Sequence, residues 1–167
     1  MVVRQVVSIV VLPVTVTVLI PLWIRDSYGV PVALPQTPAE AALALLGAGV
    51  VLVGLVVVAA CIRHFAVEGR GTLAPWDPPK LLVVAGPYRF VRNPMISGVV
   101  LVLAGEALAL RSIPHTVWAG MFAVANMVYI PLLEEPRLEE RFGAAYREYC
   151  RRVPRFIPRL RITNDAS

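Results

Sequence analysis

Residues 41–62 read AALALLGAGVVLVGLVVVAACI, and these 22 residues carry no charged side chain. At about 1.5 Å of rise per residue, a helix of that length spans about 33 Å, enough to cross the hydrocarbon of a bilayer. An unbroken apolar run of this length argues for a helix surrounded by lipid rather than a strand or a half-buried helix. Gly47, Gly49 and Gly54 lie inside it, but no strand precedes them and their spacing is not that of a dinucleotide fingerprint. Small residues let helix backbones approach in lipid, so close helix packing is the expectation for all three.

On the N-terminal side, a second apolar run covers Val6 to Ile24, interrupted by Pro13 and Pro21. A helix over it spans about 28 Å. The Leu22-Trp23-Ile24-Arg25 ending lacks the small residues of a signal-peptide cleavage site, so a retained span with Trp23 near an interface is expected. On the C-terminal side, Ile96 to Leu110 and Thr116 to Leu133 are separated only by Arg111 to His115. That spacing predicts a tight antiparallel hairpin. The first member of the pair reaches only about 22 Å, so it crosses a thinned region or begins inside the loop before it.

Composition agrees. Hydrophobic residues make up 57% and charged residues 16% of the 167-residue chain, more apolar surface than a single soluble domain can hide. The net charge of +5 does not point to nucleic acid, because the basic residues flank apolar runs and form no stripe among exposed aromatics. Cys61 and Cys150 fit no disulfide framework or zinc spacing, and His64 and His115 form no H-E-x-x-H, so no metal is expected.

The distribution of charge also orients the helices. With four spans, one side carries Arg4, the five basic residues Arg63, Arg70, Lys80, Arg89 and Arg92, and eight more after residue 133. The other side carries Arg25 and Arg111. This bias places both termini in the cytoplasm. The loop 63–94 contains Pro75-Trp76-Asp77-Pro78-Pro79, which favours a stiff, extended path. In the tail, Leu138, Phe142, Ala145, Tyr149 and Val153 recur at helical spacing, as one amphipathic helix would place them. The expected fold is therefore all-α: a single-domain polytopic membrane helix bundle over residues 1–167, with about four transmembrane helices and a cytoplasmic amphipathic C-terminal helix.

Two polar stretches stand out. One is Gly86-Pro87-Tyr88-Arg89-Phe90-Val91-Arg92-Asn93-Pro94-Met95-Ile96-Ser97-Gly98, entering the third helix. The other is Glu134-Glu135-Pro136, leaving the fourth, followed by Phe142-Gly143 and Tyr146. A hairpin of the third and fourth helices returns both to one membrane face, bringing Arg92 and Asn93 near Glu134 and Glu135. A purely structural reading is open beside the functional one: Asn93 caps the third helix ahead of Pro94, and the charges are ordinary interfacial residues. Glu106 stands within the third helix. It either lines a route for a ligand, or is protonated, or pairs with Arg111 or His115.

Residues 80–158 resemble the C-terminal half of the isoprenylcysteine carboxyl methyltransferase and phospholipid methyltransferase superfamily. The resemblance is carried by Gly86, Tyr88, Arg92, Pro94, Gly98, Glu134, Glu135, Phe142, Gly143, Tyr146, Tyr149 and the Val153-Pro154-Arg155-Phe156-Ile157-Pro158 ending. It implies S-adenosyl-L-methionine as cofactor, held by Lys80, Leu81, Leu82, Val83, Tyr88, Asn93, Pro94, Met95, Ile96 and Glu134. It implies catalytic roles for Arg92, Glu134 and Glu135. Three positions depart from the family pattern. Asn93 replaces a histidine, Ile96 replaces a tyrosine, and Ile130 stands where an arginine meets the prenylcysteine substrate. Prenylcysteine is therefore not carried over.

The function these features imply is methyl transfer to a lipophilic acceptor, a carboxylate or an amine, at the cytoplasmic face. The partners are the lipid bilayer and that acceptor, without nucleic acid or metal. Two other classes fit part of the pattern. A sterol-reductase-like enzyme using NADPH shares a Tyr-x-x-x-Arg-His-Pro stretch, and a non-catalytic membrane partner would tolerate Ile96 and Ile130.

Overall fold

The computed structural model describes residues 10–32, 34–67 and 81–157, and every regular element among them is helical. Residues 6–9 of the first apolar run, the Pro75–Pro79 stretch, Lys80 and Pro158 lie outside the described residues.

The first run is wound as a π-helix over Val10–Leu19 and continues as α1 (Ile20–Ser27). Its prolines determine how it docks. Pro21 has no N–H to return to the preceding turn, and the carbonyl of Val16, five residues back, accepts instead from the Trp118 indole Nε1 at 3.2 Å. The Pro21 carbonyl lies 3.2 Å from His115 Nε2. A carbonyl can only accept, so Nε2 carries the proton and Nδ1 accepts from the Ser112 hydroxyl at 2.8 Å. A neighbouring helix thus satisfies backbone groups that water cannot reach.

Helix α2 (Pro38–Val67) opens on a cap in which Thr37 Oγ1 accepts from the Glu40 N–H at 3.2 Å and Glu40 Oε2 accepts from the Gln36 N–H at 2.7 Å. This is a variant of the reciprocal Thr-x-x-Glu cap. Helix α3 (Pro94–Leu110) runs antiparallel to α2, and glycines line their seam. A Cβ on Gly54 would lie 2.7 Å from the Gly98 carbonyl oxygen, and one on Gly47 would lie 2.6 Å from that of Gly105. Gly49, by contrast, faces open space, so two of the three glycines in α2 serve packing and the third does not. Arg111 Nη1 meets Glu40 Oε2 at 2.7 Å and closes the far end of the pair.

A left-handed Arg111 (φ 50°) and the N-cap Ser112 turn the chain into α4 (Ile113–Tyr129). A π turn over Ile130–Glu134 follows, then α5 (Glu135–Phe142) and α6 (Ala144–Arg152). The stretches Pro38–His64 and Ile113–Phe142 are long and apolar enough to cross a membrane, and Pro94–Leu110 is a shorter apolar helix. Their outer faces are greasy: Leu45 is 75% and Ile113 78% exposed. Such a surface belongs in lipid.

Helix α3 begins at Pro94, inside the polar stretch, which is one of the two alternatives its short apolar run left open. Two expectations need correction. The tail is two helices, because Gly143 adopts φ +55° and turns the chain between them. Tyr146, rather than Ala145, joins Tyr149 and Val153 in the core with Leu138 and Phe142 packed against them, while Ala145 is exposed. Glu106 pairs with neither proposed partner. Arg111 is bound to Glu40, His115 is engaged by Ser112 and Pro21, and Glu106 Oε2 is buried with no hydrogen-bond partner among the described residues.

Candidate functional site

The polar stretch ahead of α3 is shaped by local backbone chemistry. Gly86 has φ +57°, a conformation that costs glycine little. A side chain there would also strike the His64 imidazole at the end of α2. A 3-10 turn over Gly86–Arg89 then sends Tyr88 inward, where its hydroxyl and the Cys61 thiol are hydrogen-bonded to each other. Val83 packs into the same cluster, with Met95 against its edge. Burial, followed by the neighbouring Cys61 and then Tyr149 and Glu134, pushes the Tyr88 pKa above a tyrosine's ordinary value. The hydroxyl therefore stays protonated and remains a donor at neutral pH.

The glutamate doublet comes to this same place. Arg92 and Glu135 are 43 residues apart in sequence, yet Arg92 Nη1 donates to Glu135 Oε1 at 2.9 Å. Arg155 grips the other side of the same carboxylate, with Nε donating to Oε1 at 2.9 Å and Nη2 to Oε2 at 2.6 Å. Only 12% of the Glu135 side chain is exposed. The hydrogen bond to Glu135 raises the Arg155 pKa, so the guanidinium remains charged. Glu134 differs from its neighbour. It is half-buried, lies near Tyr88, and makes no hydrogen bond or ion pair among the described residues. Within one doublet, one carboxylate is neutralised twice and the other is left open.

The π turn that ends on Glu134, the first residue of the doublet, contains Pro131, and its own first residue, Ile130, is completely buried. The other anticipated positions divide by exposure. Pro94 is fully buried at the first turn of α3. Asn93 is half-buried, and its side chain makes no capping hydrogen bond, contrary to the purely structural reading; Ser97 bonds the Asn93 carbonyl instead. Ile96 is half-buried, Leu81 is exposed, and Leu82 packs beside Tyr146 and Tyr149.

The structure adds residues that carried no assigned role. Tyr149 donates its hydroxyl proton to the Tyr88 carbonyl at 2.8 Å. Cys150 Sγ lies 3.0 Å from Arg92 Nη1. The Arg92 N–H donates to the Pro154 carbonyl at 2.8 Å. Burial raises the pKa of both Tyr146 and Tyr149, for Tyr146 with help from a hydrogen bond to Cys150. Tyr149 and Arg155 belong to motifs visible in the sequence, but their contacts run 61 and 20 residues back along the chain. No local spacing announces such contacts.

The chain belongs to the phospholipid methyltransferase family, whose pattern it matches over residues 42–145. It is a membrane protein of that family, built on the two long apolar helices. Among curated proteins it is similar to methanethiol S-methyltransferase 2 of Bradyrhizobium diazoefficiens, with 40% identity over 76 residues. That alignment covers 44% of this chain and 27% of the relative, so the similarity spans about a quarter of the relative's length. No solved structure matches the chain.

Proposed function

We propose that the chain transfers a methyl group from S-adenosyl-L-methionine to a small, uncharged apolar acceptor, with a thiol the favoured class. The reading rests on family membership together with one observation: among the described residues Glu134 has no partner and lies beside Tyr88, while Glu135 is held by two arginines. A half-buried carboxylate with no cation is a receptor for one, and the cofactor is cationic at its sulfonium and at its amino group. The residues therefore fit the group.

Each residue has a defined part in this reading. Glu134 binds the cationic portion of the cofactor. The protonated Tyr88 hydroxyl and the Asn93 amide, which makes no capping hydrogen bond, bound the pocket. Val83 and Leu82 have their side chains packed inside the protein, so their stretch contributes backbone groups. Lys80 contributes as the family resemblance implies. Arg92 acts on Glu135 rather than on Glu134. When bound, the cofactor would supply a methyl group already activated by its sulfonium. The acceptor thiol gives up its proton to solvent, and its sulfur–methyl bond forms as the sulfonium carbon–sulfur bond breaks. The protein's task is to orient and desolvate. Ile130, buried and apolar, supplies no cation for an anionic acceptor, which favours an uncharged one. The name of the similar methanethiol methyltransferase points the same way.

Four spans, with both termini and the pocket on the cytoplasmic side, complete the reading and are supported by the bias of Lys and Arg. The test is methyl transfer by the purified full chain in detergent, with label in the cofactor's methyl group. A short alkanethiol, a prenylated carboxylate and an ethanolamine phospholipid are offered as acceptors. Label in the thiol is expected. Label only in the carboxylate or the amine replaces the acceptor class, and label in none of them overturns the activity.

A further inference from the structure

The geometry points to Arg155 as a positioning residue. It acts through Glu135 to clasp the Gly86–Ile96 stretch in the shape that a cofactor pocket needs. This rests on the reading of that stretch as the cofactor site.

Among the described residues, Cys150 Sγ lies 3.0 Å from Arg92 Nη1 and three further contacts tie the C-terminal segment to the stretch. The Tyr149 hydroxyl donates to the Tyr88 carbonyl at 2.8 Å. The Pro154 carbonyl accepts from the Arg92 N–H at 2.8 Å. The Arg155 guanidinium takes both oxygens of Glu135, whose Oε1 also receives Arg92. The first two hold backbone atoms on either side of Phe90. The third holds the Arg92 side chain through a shared carboxylate. The clasp thus grips the loop by its main chain and by its one inward-reaching cation.

Charge explains why Arg155 in particular is needed. Glu135 is nearly buried, and a buried carboxylate with one cation retains unsatisfied lone pairs. Arg92 reaches only Oε1, and its Nε is buried without a hydrogen-bond partner among the described residues. The planar fork of Arg155 spans the carboxylate with two parallel bonds, a geometry that lysine cannot reproduce. With Glu135 engaged in this way, it is not available to a ligand. Its role is positioning, and Glu134 alone of the doublet faces the site. Arg155 lies ten residues beyond the matched family region, which ends at residue 145.

The test is amide hydrogen exchange on the full chain in detergent, read by mass spectrometry for peptides covering 86–96 and 45–60. It is paired with titration of S-adenosylhomocysteine into the same samples. In Arg155→Ala the 86–96 amides are expected to exchange about tenfold faster while those of 45–60 keep their rate. S-adenosylhomocysteine affinity is expected to fall about tenfold. Arg155→Lys, which keeps charge and stem but loses the fork, should fall between wild type and Ala in both readouts.

Unchanged exchange at 86–96 in Arg155→Ala overturns the clasp, whatever the titration gives. Full recovery of wild-type values by Lys overturns the requirement for the fork. Faster exchange at 86–96 with unchanged S-adenosylhomocysteine affinity overturns the positioning role. Faster exchange in a chain whose wild type does not bind S-adenosylhomocysteine supports the clasp and overturns the cofactor reading beneath it.

Discussion

The seam between α2 and α3 and the polar mouth at its end are held by opposite means. Along the seam, Gly47 and Gly54 meet Gly105 and Gly98 backbone to backbone, with Val51, Val58 and Val102 filling the flanks. Lipid is as apolar as any side chain, so burial gives little reason for these helices to associate, and the fit of surfaces supplies it. At the mouth, shape matters less than pairing. Arg92, Glu135 and Arg155 form one charged unit, and Tyr149 secures the Tyr88 carbonyl. The seam tolerates no added atom, and the mouth tolerates no lost partner. The two regions should therefore fail under different substitutions.

The largest effect is expected at the mouth. Glu135→Ala leaves the Arg92 guanidinium, 14% exposed, facing Arg155 without the carboxylate between them. Breaking a buried pair in this way costs about 3–5 kcal/mol. Denaturant unfolding in detergent reads it, and a loss below about 1 kcal/mol would class the pair with ordinary surface bridges. Next comes the seam. Gly54→Ala drives a methyl into the Gly98 carbonyl and should cost about 1–3 kcal/mol.

Tyr149→Phe strands the Tyr88 carbonyl and should cost about 1–2 kcal/mol, with faster amide exchange around residue 88 rather than along the seam. Smaller still is Gly49→Ala, which meets nothing within 4 Å and should stabilise α2 by about 0.5–1 kcal/mol through reduced backbone entropy. If Gly49→Ala and Gly54→Ala behave alike, the seam is not where the structure places it.

The last contrast is with pH. Tyr88, Tyr146 and Tyr149 all have pKa values raised by burial. The folded chain holds their protons more tightly than the unfolded chain does. Their contribution is therefore complete below the ordinary tyrosine value of about 10 and is lost as pH rises from there toward the folded values. Unfolding midpoints across pH 8 to 11 should stay level and then fall. A fall that begins well below that value would assign the loss to other groups.

Much of this architecture is legible in the residues. The uncharged run 41–62 announces α2, and the five residues between Leu110 and Thr116 announce the hairpin that brings Arg92 to Glu135. Family motifs lead to the doublet, though not to the division of labour within it. What stays hidden has physical reasons. Steps of three and four residues are equally helical, so spacing from Phe142 to Tyr149 does not choose between Ala145 and Tyr146, and the structure buries Tyr146. Arg155 reaches Glu135 because α5 and α6 fold back, and a contact made by tertiary closure leaves no periodic trace. Asn93 has the residue type of a cap and the position of one, yet its side chain is not used for capping. Lys80 lies outside the described residues, and its part rests on the family resemblance.

The central proposition is that Glu134, left open beside Tyr88, receives a cationic cofactor. Calorimetric titration of S-adenosylhomocysteine, whose amino group remains cationic, into wild type and Glu134→Gln addresses it most directly. Wild type is expected to bind, and the variant to lose about tenfold or more in affinity, the scale of a hydrogen bond to a charged group. Equal affinity in the two proteins, or no binding by wild type, would contradict it.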